Sequence, residues 1–179
     1  DPNKLCTVNY PNRAIYSQKA NLEETKNNWL VYRPISYKEF PKTYGKLISL
    51  DGLESRAILA RFENKSQLYN VLSTISTTKE TAYLGNPTFF SEAPIDFAET
   101  DNGYAGAQHK FLLKTEYGHV MVDSERGQIF LLQGREVKNI SDVGMSKFFA
   151  ENLPFNIRYY FPNANIDNHF KDVGLTGVY

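Results

Sequence analysis

A chain of 179 residues, 41% of them hydrophobic, is long enough for one packed domain or two small ones, and its composition excludes wholesale disorder. Twenty basic and twenty acidic residues cancel, which argues against a nucleic-acid-binding domain with its basic stripe. The single cysteine, Cys6, excludes an internal disulfide and a multi-cysteine zinc site, and no apolar run reaches the ~20 residues of a membrane-spanning helix.

Leu5 to Tyr10 and Ala14 to Ser17 read as short strands around a Pro11-Asn12 turn. Asn21 to Asn28 is polar and predicts a short helix capped by Asn21, with Glu23 and Glu24 in its first turn. Trp29 to Tyr32 predicts a strand, and Arg33 to Gly45, with two prolines, an ordered surface loop. Lys46 to Leu50, Arg56 to Phe62 and Ser66 to Leu72 predict strands, with turns at Asp51-Gly52 and Glu63 to Lys65. Ser73 to Lys79 reads as a connection and Thr81 to Leu84 as a strand. The stretch Gly85 to Gly106 is too long for a casual connection and is expected to cover a sheet edge or touch a partner.

His109 to Thr115, His119 to Asp123, Gln128 to Gln133 and Glu136 to Ile140 are four short runs, each closed by a glycine or polar turn. They predict an antiparallel meander of the size of one β-propeller blade. A helix is expected over 141–153, with Ser141 or Asp142 as cap and Pro154 as stop, followed by a strand over Phe155 to Phe161. Pro162 to Gly174 reads as a loop, and Leu175 to Tyr179 as the first arm of a further hairpin. The fold class is therefore mainly β, with antiparallel sheets, propeller-like blades and one short helix. Residues 1–45 form a loop-rich segment, and 46–179 a β-rich region expected to continue in a longer polypeptide.

The residues offer little chemistry. His109, His119 and His169 lack metal-ligand spacing, although His109 and His119 are placed to face each other across a hairpin. Asp96, Glu99 and Asp101 make an acidic loop without EF-hand spacing. No nucleophile elbow or Walker-type loop is present, and twenty acids make carboxylate pairs uninformative. No catalytic residue, metal ligand or cofactor is assigned. Asp123-Ser124-Glu125-Arg126-Gly127-Gln128-Ile129-Phe130 is similar to a degenerate Asp-box turn. There an acidic side chain caps backbone N–H groups, Gly127 supplies a positive φ, and Phe130 packs beneath. Asp123 stands in the usual Ser or Thr place, Glu125 in that of the Asp, and Phe130 in that of the Trp.

Gly103-Tyr104-Ala105-Gly106-Ala107-Gln108-His109-Lys110-Phe111, Thr115-Glu116-Tyr117-Gly118-His119, Val122 to Phe130, Val137 to Ser141, Gly144 to Phe149 and Asn152-Leu153-Pro154 follow one another along the chain, a likeness of pattern rather than a diagnostic signature. This succession resembles the large tail proteins of podovirus-type phages, notably the stabilisation or muzzle proteins of the crAss-like group. The resemblance covers about residues 46–179. It implies a virion protein, made in the bacterial host cytoplasm. Copies of the chain would form a ring at the distal tail that helps close the DNA channel, in contact with other tail proteins and with the rest of its own polypeptide. No catalytic residue comes with it, and neither nucleic-acid sequence readout nor a membrane span is expected. Loop aromatics Tyr32, Tyr37, Phe40, Tyr44, Phe89 and Phe90 are the candidate interface residues. The alternatives are a glycan-binding receptor module, for which Trp29 would be the stacking platform, and a cell-envelope hydrolase, which needs two close carboxylates in a cleft.

Overall fold

The computed structural model describes residues 8–19, 25, 27–54, 56–76, 81–97, 104–160, 162 and 177. The expected strand over Leu5 to Tyr10, the helix over Asn21 to Asn28 and the elements after Phe161 lie wholly or largely outside them. Strand β1 (Arg13–Ile15) pairs antiparallel with β2 (Tyr37–Glu39), and Ile15 stands opposite Tyr37. β2 thus falls inside the expected loop of residues 33–45. Asn28–Leu30 is a 3-10 turn rather than the start of a strand. Gln18 N–H donates to the Val31 carbonyl at 2.9 Å, a single tether, and among the described residues no strand ladder includes Trp29 to Tyr32.

β3 (Leu47–Leu53), β4 (Ala57–Phe62) and β5 (Ser66–Asn70) form an antiparallel meander. The Asp51-Gly52 pair does not turn the chain. It stays in the ladder opposite Leu59 and Ile58, because the Asp51 carboxylate accepts from Ser49 Oγ at 2.6 Å and Arg61 Nε at 2.8 Å. The turn comes after Leu53, where Glu54 takes φ +43°. The expected strand 66–72 is broken at Val71, whose N–H donates to the Arg56 carbonyl. β6 (Leu72–Ser76) then pairs with β7 (Thr81–Gly85), so residues 73–76 are strand where a connection over Ser73 to Lys79 was predicted, the rest of that run lying outside the described residues. β8 (Ile95–Asp96) pairs with β5 and covers the edge of that sheet.

The second four-stranded sheet runs in the order β12-β11-β10-β9. It comprises β9 (Leu113–Thr115), β10 (Gly118–Asp123), β11 (Gln128–Gln133) and β12 (Glu136–Asn139), the meander legible in the sequence. Helix α1 (Ser146–Tyr160) starts later and runs further than 141–153, through Pro154 and over the predicted strand. Proline removes one N–H from the ladder but itself holds a φ near the helical value. The exposed Phe148, Phe155 and Tyr159 keep helical spacing past it, and the Phe155 and Tyr159 rings stack at 5.0 Å.

Two apolar clusters organise the chain. The first joins the two four-stranded sheets: Leu53, Leu59, Leu68 and Phe97 meet Ala105, Met121, Phe130, Leu132 and Val137. The second lies on the opposite face of the first sheet, where Ala60, Phe62 and Tyr69 pack on Ala14 and Phe40, flanked by Tyr44, Phe89 and Phe90. Successive side chains of a strand point to opposite faces. Leu59 therefore serves one cluster while Ala60 and Phe62 serve the other, and β4 is buried on both sides. Ala14, Phe40 and Tyr44 from the segment before β3 take part in this second core, and Leu47 N–H, donating to the Pro11 carbonyl at 2.9 Å, ties that segment to the sheet. Among the described residues the architecture is mainly β, of antiparallel sheets with one short α-helix. Among the described residues, no helix is long and apolar enough to cross a membrane.

Candidate functional site

The residues Tyr104 to Lys110 pass between the two four-stranded sheets, and polar groups fix them there. Arg61, fully buried on β4, donates from Nη1 to the carbonyls of Phe111 (2.5 Å) and His109 (3.3 Å) and from Nη2 to that of Lys110 (2.7 Å). Those three carbonyls serve the guanidinium rather than a neighbouring strand, so β9 begins only at Leu113 and not at His109. Gln108 joins the sheets. Its Nε2 donates to the Glu63 carbonyl and to Asp123 Oδ1, both at 3.0 Å, while its Oε1 accepts from the Ser124 N–H at 2.7 Å. Neither Arg61 nor Gln108 was singled out from the sequence. The available signal was a lone arginine inside the apolar run Ala57 to Phe62. Such an arginine is buried only if paired.

The Asp-box-like turn is structural. Asp123 is fully buried; its Oδ1 accepts from the Arg126 N–H at 3.1 Å and its Oδ2 from Arg126 Nη1 at 2.8 Å. The cap is thus Asp123, while the Glu125 carboxylate turns outward to Arg158 at 3.4 Å. Phe130 is fully buried beneath the turn, worth ~1.5–3 kcal/mol of burial. Gly127 has φ +65°, and a Cβ there would stand 2.5 Å from Ala150 Cα and 2.6 Å from the Phe149 carbonyl oxygen. The same glycine therefore closes the turn and seats α1.

The candidate interface aromatics separate into two groups. Phe40 is buried in the second core, where its ring meets Phe62 edge-on at 4.9 Å, and Tyr44, Phe89 and Phe90 pack partly buried around it. Tyr32 and Tyr37 reach solvent, 62% and 36% exposed, together with Trp29, Leu30, Val31 and Ile35. Around Arg13 the Tyr10 and Tyr37 rings converge at 4.0 and 4.4 Å from the guanidinium carbon. A second exposed set lies along α1: Phe148, Phe155, Tyr159 and Tyr160.

Of the groups considered for metal binding, Asp96 lies in β8 and pairs with Lys65, while Glu99, Asp101, Cys6 and His169 lie outside the described residues. His119 stands opposite Lys114 in the β9–β10 register, and His109 is buried in the segment between the sheets. The hairpin therefore does not pair the two histidines. Among the described residues no three His, Cys, Asp or Glu side chains are grouped to hold a metal ion.

A cleft of about 500 Å³ is lined from both four-stranded sheets, by residues at the β3–β4, β9–β10 and β11–β12 turns and by Leu68, Asn70 and Leu132. His119 lines it, with Nδ1 buried and without a hydrogen-bond partner. Burial pushes the His119 pKa below the ordinary 6.5; Lys114 acts the same way, and Glu54 and Asp51 oppose them. The unfolded chain takes up this proton as pH falls through 6.5, before the folded chain does. His119 therefore favours folding above 6.5, and that contribution is lost as pH falls through the lower folded value. Replacing His119 with Gln is expected to flatten part of the fall in urea midpoint between about pH 7.5 and about pH 5. An unchanged slope would remove His119 from the titration.

Neither a family model nor a curated protein matches the chain.

Proposed function

We propose that the chain is a building module of a bacteriophage tail of the stabilisation or muzzle type, whose copies meet side by side in a ring that helps close the DNA channel. The observation that carries this reading is the set of exposed apolar side chains Trp29, Leu30, Val31, Tyr32 and Ile35, together with exposed Ile15 and Tyr37 on the β1–β2 ribbon and Tyr10 before it. Isolated exposed hydrophobics are ordinary, but contiguous ones of this extent mark interaction surfaces. Tyrosine and tryptophan supply contact area at low entropic cost and dominate the energetic centres of interfaces. The exposed aromatics of α1 offer a second, different surface, as a heterologous head-to-tail contact requires.

In this reading the two four-stranded antiparallel sheets, which share one apolar cluster, are successive blades of a propeller-like unit. The buried polar groups Arg61, Gln108 and Asp123 are all engaged in holding backbone, which suits scaffolding rather than turnover.

Light scattering on the purified chain tests the reading. Mass is expected to rise with concentration above that of a 20.5-kDa monomer and to fall back in a Trp29→Glu, Tyr32→Glu double variant, whose exposed positions leave the core untouched. A wild-type chain that stays monomeric at high concentration, with no ring density for it in electron micrographs of a tail, would overturn the proposal.

A further inference from the structure

We infer that the chain beyond the β1–β2 ladder, between Tyr16 and Ser36, docks on the surface of a bilayer that contains anionic lipid. The inference goes beyond the assembly reading and shares its surface, so a bilayer and a neighbouring copy compete for the same side chains. Backbone bonds continue the ribbon past its ladder. Tyr16 N–H donates to the Ser36 carbonyl at 3.1 Å, and Gln18 N–H to that of Val31 at 2.9 Å. Burial ends at Ala14 and resumes at Phe40; no described residue between them is buried, and none belongs to either apolar cluster. All seven residues from Trp29 to Ile35 are exposed, whereas a strand lying on a core hides alternate side chains. Ile35 is 80% exposed, far more than its own domain requires of an isoleucine. Trp29 and Tyr32 are of the type that settles at the headgroup level, and Leu30, Val31 and Ile35 of the type that enters the acyl boundary. Such a segment lies on a membrane and does not cross it.

Charge selects the occupant. Residues 8–45 carry six lysines and arginines against Glu23, Glu24 and Glu39, although the whole chain is neutral. Arg13 is paired with Glu39 at 3.2 Å, but among the described residues Lys19, Arg33, Lys38 and Lys42 make no ion pair. Arg33 lies within the exposed run, Lys19 follows the tethered Gln18, and Lys38 stands opposite Ala14 in the ribbon. Cations therefore flank the apolar side chains. Each cation held near an anionic leaflet strengthens binding about fivefold. A nucleic acid would satisfy the cations and stack on the rings, but it would leave Leu30, Val31 and Ile35 in water.

Trp29 is the single tryptophan, so its fluorescence reports on this segment alone. The dilute full chain is titrated with vesicles of phosphatidylcholine containing about one-third phosphatidylglycerol. The emission is expected to move to the blue and the chain to sediment with the vesicles. Binding should be about tenfold or more tighter than to pure phosphatidylcholine, and weaker as salt rises. A Leu30→Ser, Ile35→Ser double variant, changed only at exposed positions, should lose the shift. Lys19→Gln with Arg33→Gln should weaken binding to the anionic vesicles roughly twentyfold and leave pure phosphatidylcholine unaffected. Four results would overturn the inference: sedimentation without a Trp29 shift, or neither; equal affinity for the two kinds of vesicle; an equal shift with double-stranded DNA; or a shift that follows protein concentration alone and ignores vesicles, which would give the segment to a second copy. Light scattering without lipid tests assembly separately, so either reading can fail alone.

Discussion

Replacing Arg61 with Met is expected to destabilise the chain by about 3–5 kcal/mol, the usual consequence of removing one partner from a buried ionic network. The side chain is fully buried, and it bonds one carboxylate and three successive carbonyls. Methionine fills the space but donates nothing. The His109, Lys110 and Phe111 carbonyls would lose this donor, and any of them left unsatisfied away from water adds its own desolvation cost. Lysine is not expected to rescue, because one ammonium cannot reproduce the spread of a planar fork over three carbonyls and Asp51. The expected loss in melting temperature is roughly 10 °C for a chain of this size. Asp51→Asn is expected to cost less, about 1–2 kcal/mol, since Asp51 keeps 22% side-chain exposure and water can reach the groups it leaves. Urea unfolding of the three variants measures this order. A near-neutral Arg61→Met would mean that the segment between the sheets is held by apolar contacts alone.

Gly127→Ala is the second large effect, and Gly134→Ala is its internal control. The two glycines share almost the same backbone, with φ +65° and +60°. Either alanine carries the left-handed penalty of about 1–2 kcal/mol. At Gly134 a Cβ meets nothing within 4 Å, so the effect ends there. At Gly127 it meets the α1 backbone at 2.5 and 2.6 Å, and backbone cannot swing aside as a side-chain tip does. Overpacking adds about 1–3 kcal/mol, or the helix lifts off the turn. The expected result is a lower urea midpoint for Gly127→Ala than for Gly134→Ala, with faster tryptic cleavage at Lys147 and Arg158 on α1. Equal midpoints and equal cleavage would show that α1 does not lean on this turn.

Exposed and buried aromatics mark the limit of what could be read in advance. Tyr32 and Phe40 stand eight positions apart in one run rich in aromatics and proline, with no periodicity to separate them. Burial followed from which of them the second sheet face came to cover. The Pro154 stop failed for a related reason: the rule concerns one hydrogen bond, while the outcome depends on the helical pattern that continues beyond it. Arg61 was invisible as a site because its partners lie 10 residues away at Asp51 and 48 to 50 away at His109, Lys110 and Phe111.

By itself the sequence determined the β character, the four-strand meander, expected over residues 109–140 and found over 113–139, and the turn at Asp123 to Phe130. These depend on alternation and on glycine and aspartate placed a few residues apart, and both signals are local. Only the tertiary structure decided that the Asp51-Gly52 pair would remain in a strand, that residues 104–110 would thread between sheets, and that turns of both sheets would line a cleft. Each of those outcomes rests on contacts between distant segments, and the energy of such a contact is set by what lies opposite, which the linear order of residues does not state.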